Sequence, residues 1–294
     1  MMLPSRYVLP VFLLIVFLGP VVLAPILNLA LEPFGIPFHR VMSRALLFSA
    51  LGALIIFRRH LHLGRWWPLG HIAFRQMARG FLLALISSLA MILFYFISCG
   101  FQAAEIPFRR AALSIFVALI AALIVPTLEE TIFRGFLITI LVATTGRWAG
   151  WFLAALIFSV AHFLRVPPGT AGPVHWWSGA TGMLSIFTNL AHGDFLTGRG
   201  LNLFLAGLVL GGIFLRSGTL WTTAALHSGW IFILMSFTAL TRSLNPPRVP
   251  GFGRDLLSSP LTSAVLLVLG ICLWRFYRVR PEETRGSAEV RRLS

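Results

Sequence analysis

The chain has 294 residues, 57% hydrophobic and only 11% charged, with a mean hydropathy of +0.87, against about 25% charged residues in ordinary soluble domains. That excludes a soluble globular domain and gives the composition of a membrane protein. The net charge of +15 comes from arginine alone, because no lysine is present, and lysine-based chemistry is excluded. These arginines flank apolar runs rather than forming one basic face, so they suit anionic membrane lipid and not nucleic acid.

The first apolar run, residues 7–31, follows Arg6. Val22-Leu23-Ala24 resembles a signal cleavage site, but Pro25 would follow the cut and the run stays apolar beyond it, so a retained helix is expected. Runs 41–57 and 81–101 come next, separated by the basic, aromatic stretch 58–67, expected as a loop or short interfacial helix. His60 and His62 in that stretch read as surface residues, having no Cys, Asp or Glu nearby. The fourth run, residues 111–143, is longer than the roughly 20 residues needed to span a bilayer, and Pro126 predicts a kink or restart within it. The fifth, residues 148–164, contains Phe158-Ser159-Val160-Ala161-His162 near its end.

A polar, Gly- and Pro-rich connection follows over 165–200, with a short helix expected at 183–190. Runs 201–215, 219–240 and 261–276 complete the set. Cys99 and Cys272 lie near or within apolar runs without metal-ligand spacing, and are expected to be buried small hydrophobes. The predicted fold is all-α: a polytopic membrane protein of about eight transmembrane helices, with one transmembrane domain over 1–277. The charged tail, 278–294, has too few apolar residues to fold. An even number of spans puts both termini on one side. With the N-terminus inside, fourteen arginines face the cytoplasm and nine the other side, so both termini are expected in the cytoplasm. Trp66, Trp67, Trp148, Trp151, Trp221 and Trp274 fall at the same interface.

Of nine acidic residues, seven lie between or beyond apolar runs; Glu129 and Glu130 alone lie inside one, in Thr127-Leu128-Glu129-Glu130-Thr131-Ile132-Phe133-Arg134-Gly135-Phe136. Each ionisable group at membrane depth costs roughly 2.5 to 3.5 kcal/mol on insertion scales and marks function. Glu130 and Arg134 are i,i+4 with the acid first, the favourable order. Glu129, about 100° further round the helix, has other neighbours, which suits one acid to support and the other to proton transfer. The competing reading is a buried ion-pair cluster that locks helices together, but three charges exceed what packing requires in a membrane segment. Two histidines, His162 and His227, lie inside apolar runs, and their depths counted from the helix ends are compatible with one midplane site. Together these groups could activate a water directly, or His162 and His227 could ligate Zn²⁺, which lowers the pKa of its bound water. HExxH, GxSG and GxGD motifs are absent, so zinc site-2, rhomboid and aspartyl patterns fail.

Glu129-Glu130-x-x-x-Arg134, then Phe158-x-x-x-His162, then His227 in a later span, resembles the CPBP family, the CAAX prenyl endopeptidases and bacteriocin-processing (Abi) intramembrane proteases. The resemblance covers a core of about 111–240. It implies that Glu129 is the base that activates water, Glu130 and Arg134 its structural or electrostatic support, and His162 and His227 contacts to water, oxyanion or metal. One position departs from the pattern: many members carry an asparagine four residues after the last histidine, where this chain has Ile231. Ser228 and Asn202 are candidates to replace that amide.

The expected function is therefore an intramembrane endopeptidase acting on a membrane-associated protein or peptide, in a prokaryotic plasma membrane. The alternative is a non-catalytic immunity or partner-binding membrane protein that keeps the family core. Substrate identity and oligomeric state are not encoded in any motif.

Overall fold

The structure, a computed structural model, describes residues 5–61, 63–98, 101–167, 174–192, 194–243 and 256–276. Among them the helices in chain order are α1 Ser5–Leu31, α2 Phe38–Leu61, α3 His71–Ser98, α4 Phe108–Glu130, α5 Ile138–Thr145, α6 Arg147–Ala161, α7 Ser178–Ala191, α8 Gly198–Ser217, α9 Trp221–Leu240 and α10 Pro260–Phe276. The protein is an all-α polytopic membrane protein. Six helical segments are long and apolar enough to cross a bilayer: Tyr7–Phe34, Phe38–Arg58, His71–Phe96, Phe108–Thr145, Gly198–Ser217 and Trp221–Leu240. The fifth and eighth expected spans are shorter apolar helices, α6 with 15 residues and α10 with 17. Rows of exposed Leu, Ile and Phe, such as Leu82, Ile86, Leu89 and Leu93 on α3, are the surface that lipid solvates. His62, Cys99 and the 278–294 tail lie outside the described residues, and nothing is described of the His60 side chain.

The chain divides into two compact units. The smaller comprises residues 1–62 and 159–197. Here α1 packs on α2 and α7 around Ala24, Val41, Met42, Ala45, Met183 and Ile186. Its helix α7 is the short helix expected near 183–190, begun five residues earlier.

The larger unit comprises 63–158 and 198–294, and α9 is its axis, packed on α3, α4 and α8. The α3 crossing is close because Gly80 sits against the Thr222 carbonyl and Gly229 against Ala84; small residues let helix backbones approach in an apolar solvent that provides no hydrophobic drive. Beyond these helices, Phe101–Ala103 pairs antiparallel with Thr241–Ser243, a two-stranded ribbon. Phe101 therefore leaves the helix in which the apolar run had placed it, since a run of this kind cannot distinguish a helix end from a strand.

Two local expectations are corrected. The helix does not break at Pro126; α4 runs through it to Glu130. Pro126 removes one backbone donor, and beside it Thr127 Oγ1 donates to the Leu123 carbonyl at 2.7 Å and Thr131 Oγ1 to the Thr127 carbonyl at 2.7 Å. The departure comes one turn later, as a π-helical segment over Thr131–Leu137, closed by the i→i+5 bond from the Ile138 N–H to the Phe133 carbonyl. Cys272 is exposed on α10 rather than buried.

Asn202, a candidate for the missing family amide, has another task. Its side chain is buried, donates to the Leu257 and Ser259 carbonyls at 2.7 and 2.9 Å, and accepts from Ser263 Oγ at 2.6 Å, pinning the start of α10 to α8. Asn202→Ala leaves those groups unpartnered at about 1–3 kcal/mol for the group that suffers most. A thermal unfolding midpoint lowered by several degrees is expected, and an unchanged midpoint contradicts this role.

Candidate active site

The acidic motif ends α4 and enters the π segment, so its charges point toward α9. Glu130 is fully buried and Arg134 nearly so. Arg134 Nη1 donates to Glu130 Oε1 at 2.9 Å, the i,i+4 pair that the sequence predicts. The same Oε1 lies 2.9 Å from Nδ1 of His227. With Nδ1–H donating to Glu130, Nε2 is the ring nitrogen left with a lone pair, and it faces Glu129 Oε2 at 3.8 Å. The two adjacent glutamates thus grip opposite sides of one imidazole. Their surroundings differ: the Glu129 side chain keeps 24% of its surface exposed and Glu130 none.

Two aromatic residues support this arrangement. Phe158 of α6 lies under Arg134, with the guanidinium carbon 4.2 Å from the ring centroid, a cation–π contact worth about 2 kcal/mol when desolvated. Its ring also meets Phe133 edge-on at 5.1 Å and His227 at 6.1 Å. Trp66, expected at the cytoplasmic interface, is buried against the π segment. A Cβ on Gly135 would lie 2.7 Å from Trp66 Cε3, so only glycine fits beside Arg134, and the Trp66 carbonyl accepts from the Leu220 N–H at the start of α9 at 2.9 Å. The single Gly following EExxxR was the available signal for this close approach. Gly135→Val should push Trp66 off the π segment and misalign Arg134. We expect loss of a sharp unfolding transition or a large fall in activity; a variant with wild-type stability and rate contradicts the packing.

His162 is placed differently. It follows the last residue of α6 in a turn, exposed, with its N–H bonded to the Ser159 carbonyl at 3.2 Å. It belongs to the smaller unit, while Glu129, Glu130, Arg134 and His227 belong to the larger.

Residues 111–233 match the family model described as type II CAAX prenyl endopeptidase Rce1-like. This stretch is an Rce1-like domain. No curated protein and no solved structure matches the chain. The match begins in α4 and ends in α9, and so includes Glu129, Glu130, Arg134, His162 and His227. An Rce1-like domain is that of a CAAX protease-like endopeptidase, a hydrolase working in a membrane on protein or peptide substrate.

Within the Rce1-like domain the donors that converge are the Glu129 carboxylate and His227 Nε2, because Nδ1 is committed to Glu130. A catalytic zinc takes three protein ligands. Among the described residues no group of three or more His, Cys, Asp or Glu side chains is arranged to hold a metal. Of the candidates for the missing asparagine, Asn202 is committed to α10, and Ser228 follows His227 on α9, half-buried.

Proposed function

We propose that the Rce1-like domain cleaves a peptide bond of a membrane-associated protein or peptide with a water activated by Glu129. The observation that carries this reading is the position of His227 between the two glutamates, with Nδ1 on Glu130 and Nε2 facing Glu129. A single water bridges two polar atoms 3.8 Å apart with ordinary hydrogen bonds. Such a water donates one hydrogen to Glu129 Oε2 and the other to His227 Nε2, which turns an oxygen lone pair outward.

As that oxygen attacks the scissile carbonyl carbon, Glu129 takes the proton. When the C–N bond breaks, Glu129 returns the proton to the leaving nitrogen, giving an amine and a carboxylic acid that ionises. Glu130 orients the imidazole, as the carboxylate does in other carboxylate–histidine pairs, and Arg134 pairs with the same Glu130 oxygen.

The test is His227→Gln, which keeps a hydrogen-bonding group but not the paired ring nitrogens. Cleavage should fall by about 10²-fold or more with folding retained. Wild-type rates would rule His227 out. Metal content of the purified protein separates two forms of this chemistry: full activity with substoichiometric zinc supports a water held by side chains, whereas stoichiometric zinc that is lost on His227→Ala supports a metal-bound one. Ile231, together with the commitment of Asn202 to α10, favours a second reading, a non-catalytic partner-binding protein. In that case Glu129→Gln would leave the cellular phenotype unchanged. We further propose a prokaryotic plasma membrane with both termini cytoplasmic, on the arginine bias.

A further inference from the structure

On the lipid-facing side of the larger unit, α6, α8 and α10 enclose a half-open groove of about 280 Å³. Its walls are Leu, Ile and Val side chains, and it is deepened where Gly212 of α8 and Gly270 of α10 contribute none. A Cβ on Gly270 would meet Val209 Cγ2 only, at 3.6 Å, so that wall is open rather than packed.

One end of the groove has a different chemistry. Trp151 and Trp274 stack there nearly parallel, with centroids 6.1 Å apart, and Trp148 lies 5.6 Å from Trp274. The Arg216 guanidinium sits 4.3 Å from the Trp274 ring and donates to the Leu273 and Trp274 carbonyls at 2.6 and 3.0 Å, so its charge is fixed at the groove mouth by the C-terminal turn of α10. Arg147 and Arg275, both exposed, adjoin Trp148 and Trp274 in sequence. An apolar trough ending in a tryptophan cluster and Arg216, with Arg147 and Arg275 next to those tryptophans in sequence, matches the profile of a phospholipid, with chain, interface and phosphate in that order.

We infer that this groove is a binding site for one anionic phospholipid, an acyl chain lying between α8 and α10 and the phosphate resting at Arg216 beside Arg147 and Arg275. Charge complementarity selects this occupant: the groove opens between apolar helices of the larger unit, and the positive charge of Arg216 held at its mouth suits an anionic headgroup. The site shares no residue with Glu129, Glu130, Arg134 or His227 and stands independently of the endopeptidase reading. The chain's own Glu282 and Glu283, shortly after Arg275 in sequence, are the competing occupant of the arginines.

The experiment uses the full chain in nanodiscs of phosphatidylglycerol mixed with phosphatidylcholine, and counts the lipid retained after extraction by native mass spectrometry. Retention of one phosphatidylglycerol is expected, enriched about fivefold over phosphatidylcholine for each arginine engaged, the weight of a cationic side chain near an anionic surface. Gly270→Leu fills the groove without touching the arginines and should abolish retention. Arg216→Gln keeps donors for the α10 carbonyls but not the charge, and should erase the enrichment. If Arg216→Gln does not fold, Gly270→Leu decides. Equal retention of both lipids, or retention that survives Gly270→Leu, overturns the site. A preference that emerges only when the chain is truncated after Phe276 also overturns it, assigning the arginines to the tail.

Discussion

Glu129→Gln is expected to slow peptide cleavage by about 10²- to 10⁴-fold, the weight of a positioned general base, while the unfolding midpoint moves by no more than a degree or two. The two halves of this expectation have separate physical origins. Gln keeps the size of the side chain and one acceptor oxygen, so it can still place a water near His227 Nε2, but it cannot take the proton. Folding is spared because Glu129 keeps 24% of its side-chain surface exposed and Gln preserves the size of the side chain and one acceptor oxygen. A loss in kcat with little change in KM is the signature of an interaction made in the transition state. Steady-state kinetics on a cleaved substrate, with a melting curve on the same preparation, checks both.

The opposite pattern is expected for Glu130→Ala. One Glu130 oxygen accepts from Arg134 and from His227, both at 2.9 Å, in a site with no exposure. Removing it strands a buried guanidinium and an imidazole N–H, and breaking a buried pair from one side costs about 3–5 kcal/mol. For a unit of this size that is a fall in the unfolding midpoint on the order of 10 °C, together with loss of activity. Adding Arg134→Leu should recover part of the stability, since the stranded charge is then gone, but none of the activity, because His227 still lacks its orienting carboxylate. Recovery of neither, or a stable Glu130→Ala single variant, argues against the shared oxygen.

What the sequence made legible follows from cost. Charges in a run of Leu, Ile and Ala are so expensive that Glu129, Glu130 and Arg134 stand out at once, and the i,i+4 spacing of the last two gives their pairing without a structure. His227 was legible as a histidine within an apolar span. Its partner was less so: spacing cannot say which glutamate an imidazole on another helix will meet, and the structure has it meet both. His162 shows the limit of counting depth along runs, because α6 ends at Ala161 and the apolar run does not. Pro126 was a sound reason to expect a break, yet an apolar solvent offers no alternative partner to the helix, and the irregularity falls at residues 131–137, where Gly135 admits the ring of Trp66. Trp66 itself had the composition of an interface belt and the burial of a core residue; only tertiary packing distinguishes the two.

The central claim, that Glu129 is the proton acceptor of a peptide-cleaving site in an Rce1-like domain, is tested most directly by mapping new protein termini. Membranes from cells expressing the wild-type chain and from cells expressing Glu129→Gln at matched levels are compared by terminal-peptide mass spectrometry. Termini generated in or beside membrane segments in the wild-type sample and absent from the variant are the expected result. The same set of termini in both samples, with both proteins folded and inserted, would contradict it.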